Sequence, residues 1–190
     1  MSKILVIDTG VILHAKHLFW NKNVRFITVP GVLDEVNDER SRLFLEQLLA
    51  QRSLEVISPT SSSVSFVRKE ARDYLGETKQ LSRIDINLVT LAFQLIRDGK
   101  RVLLCSNDLS IQNLANHMGI EYWGEKRIKS QIKWVYRCRG CGIAYTNKNL
   151  EEFNLKNCDI CGSELRKYPN KSIPVSKDGI TPNRNEKSSI

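Results

Sequence analysis

Four cysteines and four carboxylates stand at spacings that chemistry can use. Cys138-Arg139-Gly140-Cys141 and Cys158-Asp159-Ile160-Cys161 are separated by 16 residues, 142 to 157, which gives C-x₂-C-x₁₆-C-x₂-C. That pattern suits four thiolates around one zinc ion, and four protein ligands leave no open coordination position, so the site is expected to be structural. Gly142 and Gly162 follow the two pairs, where tight turns present both sulfurs of a pair to one ion. Two disulfides are the other use of the same residues, disfavoured in a reducing compartment. The fifth cysteine, Cys105, ends an apolar run and reads as a small buried hydrophobe.

The acids are more widely scattered. Asp8 closes the apolar run Lys3-Ile4-Leu5-Val6-Ile7, Glu35 lies just after Pro30, Asp85 opens the most apolar helical stretch, and Asp108 follows Val102-Leu103-Leu104-Cys105. An acid at the end of a buried strand is costly unless it is paired or ligates something. The others have plainer readings as well: Ser82-x-x-Asp85 is a capping-box variant, Asp108 is a helix N-cap, and Glu35 shares its surroundings with Asp34, Asp38 and Glu39. Brought into one cleft, four carboxylates repel one another until a divalent cation joins them, and oxygen-only ligands favour Mg²⁺ or Mn²⁺. Such a centre hydrolyses phosphodiesters with metal-activated water, without a nucleophilic Ser or Cys. His14, His17 and His117 are expected on helix faces or the surface rather than in catalysis.

The elements that would position these residues alternate between strand and helix. Strands are expected over 3–7, 25–29, 54–57, 101–105 and 120–123, and helices over 11–19, 32–36, 42–51, 61–75, 82–98 and 108–118. Pro59 forbids extension of the third strand, and Gly76, Gly99 and Gly119 each stop a helix. This order predicts an α/β fold, a parallel sheet covered on both faces, in which strand C-termini and helix N-termini share one edge. Neither a solenoid repeat nor a glycine-rich phosphate loop is present.

Charge divides the chain in two. Residues 1–125 hold 15 Lys and Arg against 15 Asp and Glu, while residues 126–190 hold 14 against 6, so the whole excess of +8 lies in the C-terminal third. A polyanion, first of all nucleic acid, is the partner this implies; a basic tail that only aids solubility is the alternative. Lys126, Arg127, Lys129, Lys133, Arg137 and Arg139 are the expected phosphate contacts, interleaved with Trp134, Tyr136 and Tyr145, and either Trp134 or Tyr136 should pack the small ribbon core. No signal pattern opens the sequence and no apolar run is long enough to span a bilayer, so a cytoplasmic location without a membrane partner is expected. The expected organisation is an α/β domain bearing the four acids over 1–125, a basic linker over 126–134, a β-rich zinc ribbon over 135–168 and a disordered tail over 169–190.

Val6-Ile7-Asp8-Thr9, Val29-Pro30 to Glu35, Leu81-Ser82-x-x-Asp85 and Ser106-Asn107-Asp108 together resemble the PIN domain, a family of metal-dependent ribonucleases, over about residues 1–125. The resemblance implies a central parallel sheet with helices on both faces. It also implies Asp8, Asp85 and Asp108 as Mg²⁺ or Mn²⁺ ligands, Glu35 as ligand or water-positioning group, and Ser106 as an ordering residue. With the ribbon appended and Ser110-Ile111-Gln112-Asn113 after Asp108, residues 1–168 resemble the archaeal form of the Nob family of endonucleases, which mature the 3′ end of small-subunit rRNA. That implies a small-subunit precursor and its 16S rRNA as partners, together with a KH-domain assembly factor. The family often carries a second Asp beside the last one, where this chain has Asn107. A non-catalytic RNA-binding assembly factor and a toxin-like PIN ribonuclease are the rival readings.

Overall fold

The computed structural model describes residues 3–14, 24–76 and 81–175. Five strands form one all-parallel sheet: β1 (Lys3–Ile7), β2 (Val24–Thr28), β3 (Leu54–Val56), β4 (Val102–Cys105) and β5 (Tyr122–Trp123), in the order β3-β2-β1-β4-β5. The chain moves outward from β1 to β3, crosses back to β4, and ends at β5. Right-handed crossovers therefore put α1 (Thr9–His14), α2 (Pro30–Glu35) and α3 (Glu39–Ala50) on one face. They put α4 (Ser61–Glu70), α5 (Arg83–Arg97) and α6 (Leu109–His117) on the other. The packing agrees: α1 meets α2 and α3, whereas α5 meets α4, α6, β1 and β4. Buried on both faces, β1 and β4 are near-continuous apolar runs, with Val6, Ile7 and Leu104 fully excluded from water.

The expected elements are present with shifted ends. α1 starts at Thr9, two residues before the expected Val11; its expected continuation through Ala15, Leu18 and Phe19 lies outside the described residues, as does His17. The expected helix 61–75 is α-helical to Glu70 and then widens into a π-turn over Ala71–Leu75. Val67, Ala71 and Leu75 recur every fourth residue and are all buried. A four-residue repeat drifts by about 40° per step on an α-helix, and the wider turn takes up that drift. Gly76 closes the turn at φ +68°.

The C-terminal part is a three-stranded antiparallel ribbon, β7-β6-β8, made from β6 (Ser130–Cys138), β7 (Ala144–Tyr145) and β8 (Leu165–Pro174), with the short α7 (Asn147–Glu152) between β7 and β8. The expected boundaries at 134/135 and 168/169 thus fall inside strands: β6 begins within the expected linker and β8 runs past Pro169. β8 is an edge strand, where a proline opposite Trp134 is tolerated because its missing N–H costs no ladder bond. Residues 176–190, most of the expected tail, lie outside the described residues. Among the described residues no helix is long and apolar enough to cross a membrane.

Candidate active site

Strand order reverses between β1 and β4, and at such a switch point a crevice opens beyond the strand C-termini. The register pairs Ile7 with Cys105, so the next residues, Asp8 and Ser106, emerge side by side into that crevice. Asp8 is pinned there by its own N–H, which donates to Cys105 O (3.1 Å), while its carbonyl accepts the first amides of α1 from Val11 and Ile12. Its carboxylate accepts from Thr9 N at Oδ1 and from the Ser106 hydroxyl at Oδ2, both at 2.7 Å.

Each remaining acid arrives on a different element. Glu35 ends α2, and its Oε2 accepts from the Thr9 hydroxyl at 2.5 Å, which ties α2 to the start of α1. Asp85 is the third residue of α5, where the capping box is fully formed: Ser82 Oγ accepts from Asp85 N, and Asp85 Oδ2 accepts from Ser82 N at 2.6 Å. Asp108 is the N-cap of α6, with Oδ1 accepting from Ser110 N and Ile111 N. The capping roles expected for Asp85 and Asp108 are therefore real, and each uses one carboxylate oxygen. Capping does not keep the acids apart, because a cap also fixes its carboxylate at the helix start, on the edge where the crevice lies.

Asp8 and Asp85 each feel the charge of acidic neighbours. Burial pushes the Asp8 carboxyl above its ordinary value of 3.8, the hydrogen bonds from Ser106 and Thr9 oppose that, and the negative charges of Asp85 and Glu35 raise it further. Asp85 is raised first by desolvation, against its bonds to Ser82, and then by Asp108 and Glu35. The charges that act most on this pair are thus all negative. An acidic, oxygen-only donor set, with Asp8 and Asp85 half-buried and Glu35 and Asp108 exposed, fits a hard divalent cation. The carboxylates form a looser group than the cysteines do.

Among the described residues, Cys138, Cys141, Cys158 and Cys161 have their sulfurs all within 4.8 Å of one another and could hold a metal ion. The two pairs are near repeats. Cys138 N donates to Ile143 O and Gly142 N to Cys138 O; Cys158 N donates to Ser163 O and Gly162 N to Cys158 O. Gly142 (φ +76°) and Gly162 (φ +70°) close the two turns in the left-handed region that glycine adopts without strain. The Tyr145 hydroxyl bridges Cys158 Sγ and Asp159. None of the four is in a disulfide. Cys105 is buried among core residues, its thiol pushed up to about 12 by desolvation, so it is the small hydrophobe its position suggested.

Of the six cations expected to meet phosphates, Lys126, Arg127, Lys129, Arg137 and Arg139 are exposed and Lys133 is half-buried. Arg139 shares Glu164 with Arg166, each at 3.6 Å. Tyr136 packs with Leu150, Leu155 and Leu165 in the ribbon core. Trp134 instead lies against Gly76 of the nuclease-like domain, with Lys167 Nζ 4.9 Å from its ring centre. His117 pairs with Glu70 at 3.0 Å, a helix-face role as expected.

Three polar residues matter more than their sequence patterns show. Thr9 links Asp8 to Glu35, and only its place directly after Asp8 hints at this. Gln112, fully buried, donates to Ser106 O (2.8 Å) and Lys126 O (2.7 Å) and accepts from Ile128 N (3.0 Å). Asn113 donates to Ile132 O and accepts from Ile132 N, both at 2.9 Å, in the manner of a strand neighbour. Asn107, where a further acid was the alternative, accepts from Glu125 N at 2.8 Å and so serves the backbone.

A parallel sheet with acids gathered at its switch point, followed by a cysteine-bearing ribbon, defines a PIN-type ribonuclease with an appended module whose four cysteines could hold a metal ion. In agreement, residues 5–95 match the family described as the PIN domain of ribonuclease. Endoribonuclease Nob1 of Pyrococcus abyssi is 31% identical over 87% of this chain and 93% of its own. Endoribonuclease Nob1 of Archaeoglobus fulgidus is 34% identical over 84% of this chain and 87% of its own. Ribonuclease VapC1 of Thermoplasma acidophilum is 29% identical over 90% and 81%. The chain belongs to the Nob1 family of endoribonucleases.

Proposed function

We propose that this endoribonuclease cleaves the precursor of small-subunit 16S rRNA at or near its 3′ end during ribosome biogenesis, in the cytoplasm. The observation that carries the catalytic part is the Asp8 carboxylate, half-buried and facing the negative charges of Asp85 and Glu35. Asp8, Asp85 and Asp108 hold Mg²⁺ or Mn²⁺, and Glu35, steered by Thr9, is a further ligand or positions water. Bound there, the metal supplies an acidified water at neutral pH and positive charge against the phosphate oxygens. Ser106 orders the ligands by holding Asp8 Oδ2 with its hydroxyl while accepting from Asp108 N at 3.0 Å.

The four cysteines hold one structural Zn²⁺, the ion that tetrahedral thiolate sites select. The ribbon and the segment before it bring RNA to the site through Lys126, Arg127, Lys129, Lys133, Arg137 and Arg139, which lie in the part of the chain that carries the entire net charge. A KH-domain assembly factor on the same precursor is the protein partner in keeping with the family.

The test is cleavage of an RNA spanning the 3′ junction of the small-subunit rRNA, with Mn²⁺ or Mg²⁺, by the native chain and by Asp8→Asn. Cleavage at the junction by the native chain alone supports the proposal. Equal product from both proteins removes Asp8 from the reaction, and no product from either leaves the non-catalytic RNA-binding reading.

A further inference from the structure

We infer that Gln112 is a positioning residue that carries the seating of segment 126–132 to the Asp8 carboxylate through Ser106, an inference that rests on the metal-site reading above. The route is a chain of hydrogen bonds with few alternatives. The Gln112 amide is fully buried and uses both ends: Nε2 donates to Ser106 O and to Lys126 O, and Oε1 accepts from Ile128 N. Ser106, also buried, donates from its hydroxyl to Asp8 Oδ2 and accepts on the same oxygen from Asp108 N. The loop that bears two site residues, Ser106 and Asp108, is therefore fixed on its far side by the strap that leads into the ribbon.

The strap is pressed against that loop. A Cβ on Gly124 would collide with Ser106 O and stand 2.5 Å from Gln112 Nε2, closer than any side chain fits. Ser106 N donates to Trp123 O at 3.0 Å, and Asn107 Oδ1 accepts from Glu125 N. Residues 123–128 thus grip Ser106-Asn107 by backbone from one side, and the Gln112 side chain closes the grip from below. Asn113 holds the same strap further on, with both ends of its amide given to Ile132. The neighbouring amides divide the work: Asn113 fastens the strap, whereas Gln112 fastens it and sets Ser106. If the ribbon is drawn aside by a partner, the pull on Lys126 and Ile128 reaches Asp8 in two further bonds.

The test compares the full-length chain with Gln112→Met, Gly124→Ala and Asn113→Ala. Met keeps the volume of Gln112 and removes its bonds; Ala at 124 wedges Ser106 and Gln112 apart with Gln112 intact; Ala at 113 loosens the strap alone. Two readouts serve: hydrogen exchange of the Asp108 amide, which needs no metal, and binding of free Mn²⁺ by paramagnetic resonance, with α5 amide protection reporting the fold. Gln112→Met and Gly124→Ala are expected to speed Asp108 exchange roughly tenfold. They should also weaken Mn²⁺ binding about 10–100-fold, as loss of an outer hydrogen bond does. Asn113→Ala stays within about twofold of the native chain on both, since it leaves every bond of Gln112 and Ser106 in place. Native Asp108 exchange in Gln112→Met and Gly124→Ala, or equal acceleration by Asn113→Ala, overturns the inference. Absence of Mn²⁺ binding by the native chain overturns the metal-site reading instead, and amide exchange still decides the role of Gln112; should Gln112→Met not fold, Gly124→Ala carries the comparison.

Discussion

The Ser106 hydroxyl meets Asp8 Oδ2 at 2.7 Å, joining two strand ends that are 98 positions apart in sequence. The contact exists because β1 and β4 are neighbours only at the point where strand order reverses. It adds a second neutral donor, beside Thr9 N, to an acid that also faces Asp85 and Glu35. Removing that donor by Ser106→Ala leaves Asp108 N without its acceptor as well. We expect a loss of about 1–3 kcal/mol in stability from the buried groups left unmatched. Cleavage should fall about 10–100-fold, as when a ligand loses its outer partner. Ser106→Thr, which retains the hydroxyl, should recover most of both. Urea denaturation and single-turnover cleavage on the same proteins check this.

Asp8 should oppose folding in the absence of metal. Its carboxyl is raised by burial and by like charges, so the folded chain binds its proton more tightly than the unfolded chain does. The sign follows: the contribution of Asp8 to stability is best below the ordinary carboxylate range and is lost as pH rises through the folded value. Asp8→Asn is therefore expected to raise the metal-free melting temperature at pH 7, by about 2–4 °C for each kcal/mol recovered. At pH 3 the native chain and Asp8→Asn should melt alike, and Mn²⁺ at pH 7 should stabilise the native chain alone. A lower melting temperature for Asp8→Asn without metal would show that Asp8 is held by something other than its acidic neighbours.

How much of this was legible in the sequence depended on the range of the interaction. The sheet, its parallel sense and the edge shared by Asp8, Asp85 and Asp108 follow from local periodicity and from the rule that strand ends and helix starts coincide. Ser82 and Asp85 read as a capping box, and they are one. Glu35 was harder, because it ends its helix instead of starting one, and nothing local reveals that the Thr9 hydroxyl reaches it across 26 positions. The Gln112 and Asn113 bonds were illegible for a related reason: a buried amide that bonds to backbone carries no periodicity, and its partners are not side chains. The course of β8 past Pro169 is not legible either, because Pro169 looks like a terminator, whereas an edge strand accepts it.

Stripping the zinc proposed for the ribbon should unfold it without unfolding the sheet. The ribbon core is small, made of Tyr136, Tyr145, Leu150, Leu155, Leu165 and two of the cysteines. A core of that size does not sustain a fold alone, and the zinc proposed for the four thiolates would supply the difference. With a strong chelator, or in Cys161→Ser, amides of β7 and α7 should lose protection from exchange while those of β1, β4 and α5 keep theirs. Loss of all protection together would mean that the two parts fold as one unit.

The basic third gives a quantitative expectation for RNA. Neutralising Lys126, Arg127, Lys129, Lys133, Arg137 and Arg139 together should weaken binding to single-stranded RNA. It should also flatten the plot of log K against log salt by about 0.7 for each phosphate that is no longer neutralised. Cleavage of a short RNA at saturating concentration should change far less, since none of the six is among the carboxylate ligands. Substitution is the better experiment than truncation at residue 126, because truncation strips the buried amides of Gln112 and Asn113 of their partners. An unchanged salt slope would remove these six residues from the interface.

Gly76 is where the π-turn of the nuclease domain lies against β6, and it tests whether the two are firmly joined. It ends the π-turn in the left-handed region at φ +68°, and a Cβ there would lie 2.8 Å from Trp134 O and 3.0 Å from Trp134 Cβ. Gly76→Ala therefore meets two penalties, backbone strain and collision with a strand. The strain alone costs about 1–2 kcal/mol. The collision is relieved by moving Trp134 away, which also pulls on the Arg72–Glu151 pair (3.3 Å) that joins the π-turn to α7. That pair is exposed and contributes little by itself. We expect Gly76→Ala to retain the sheet and the cysteine turns yet to become sensitive to limited proteolysis between residues 125 and 133. Trp134 fluorescence should shift to the red as the ring leaves its seat. A shift without proteolysis would mean that Gln112 and Asn113 hold the strap unaided, and proteolysis without a shift would place the weak point on the strap itself.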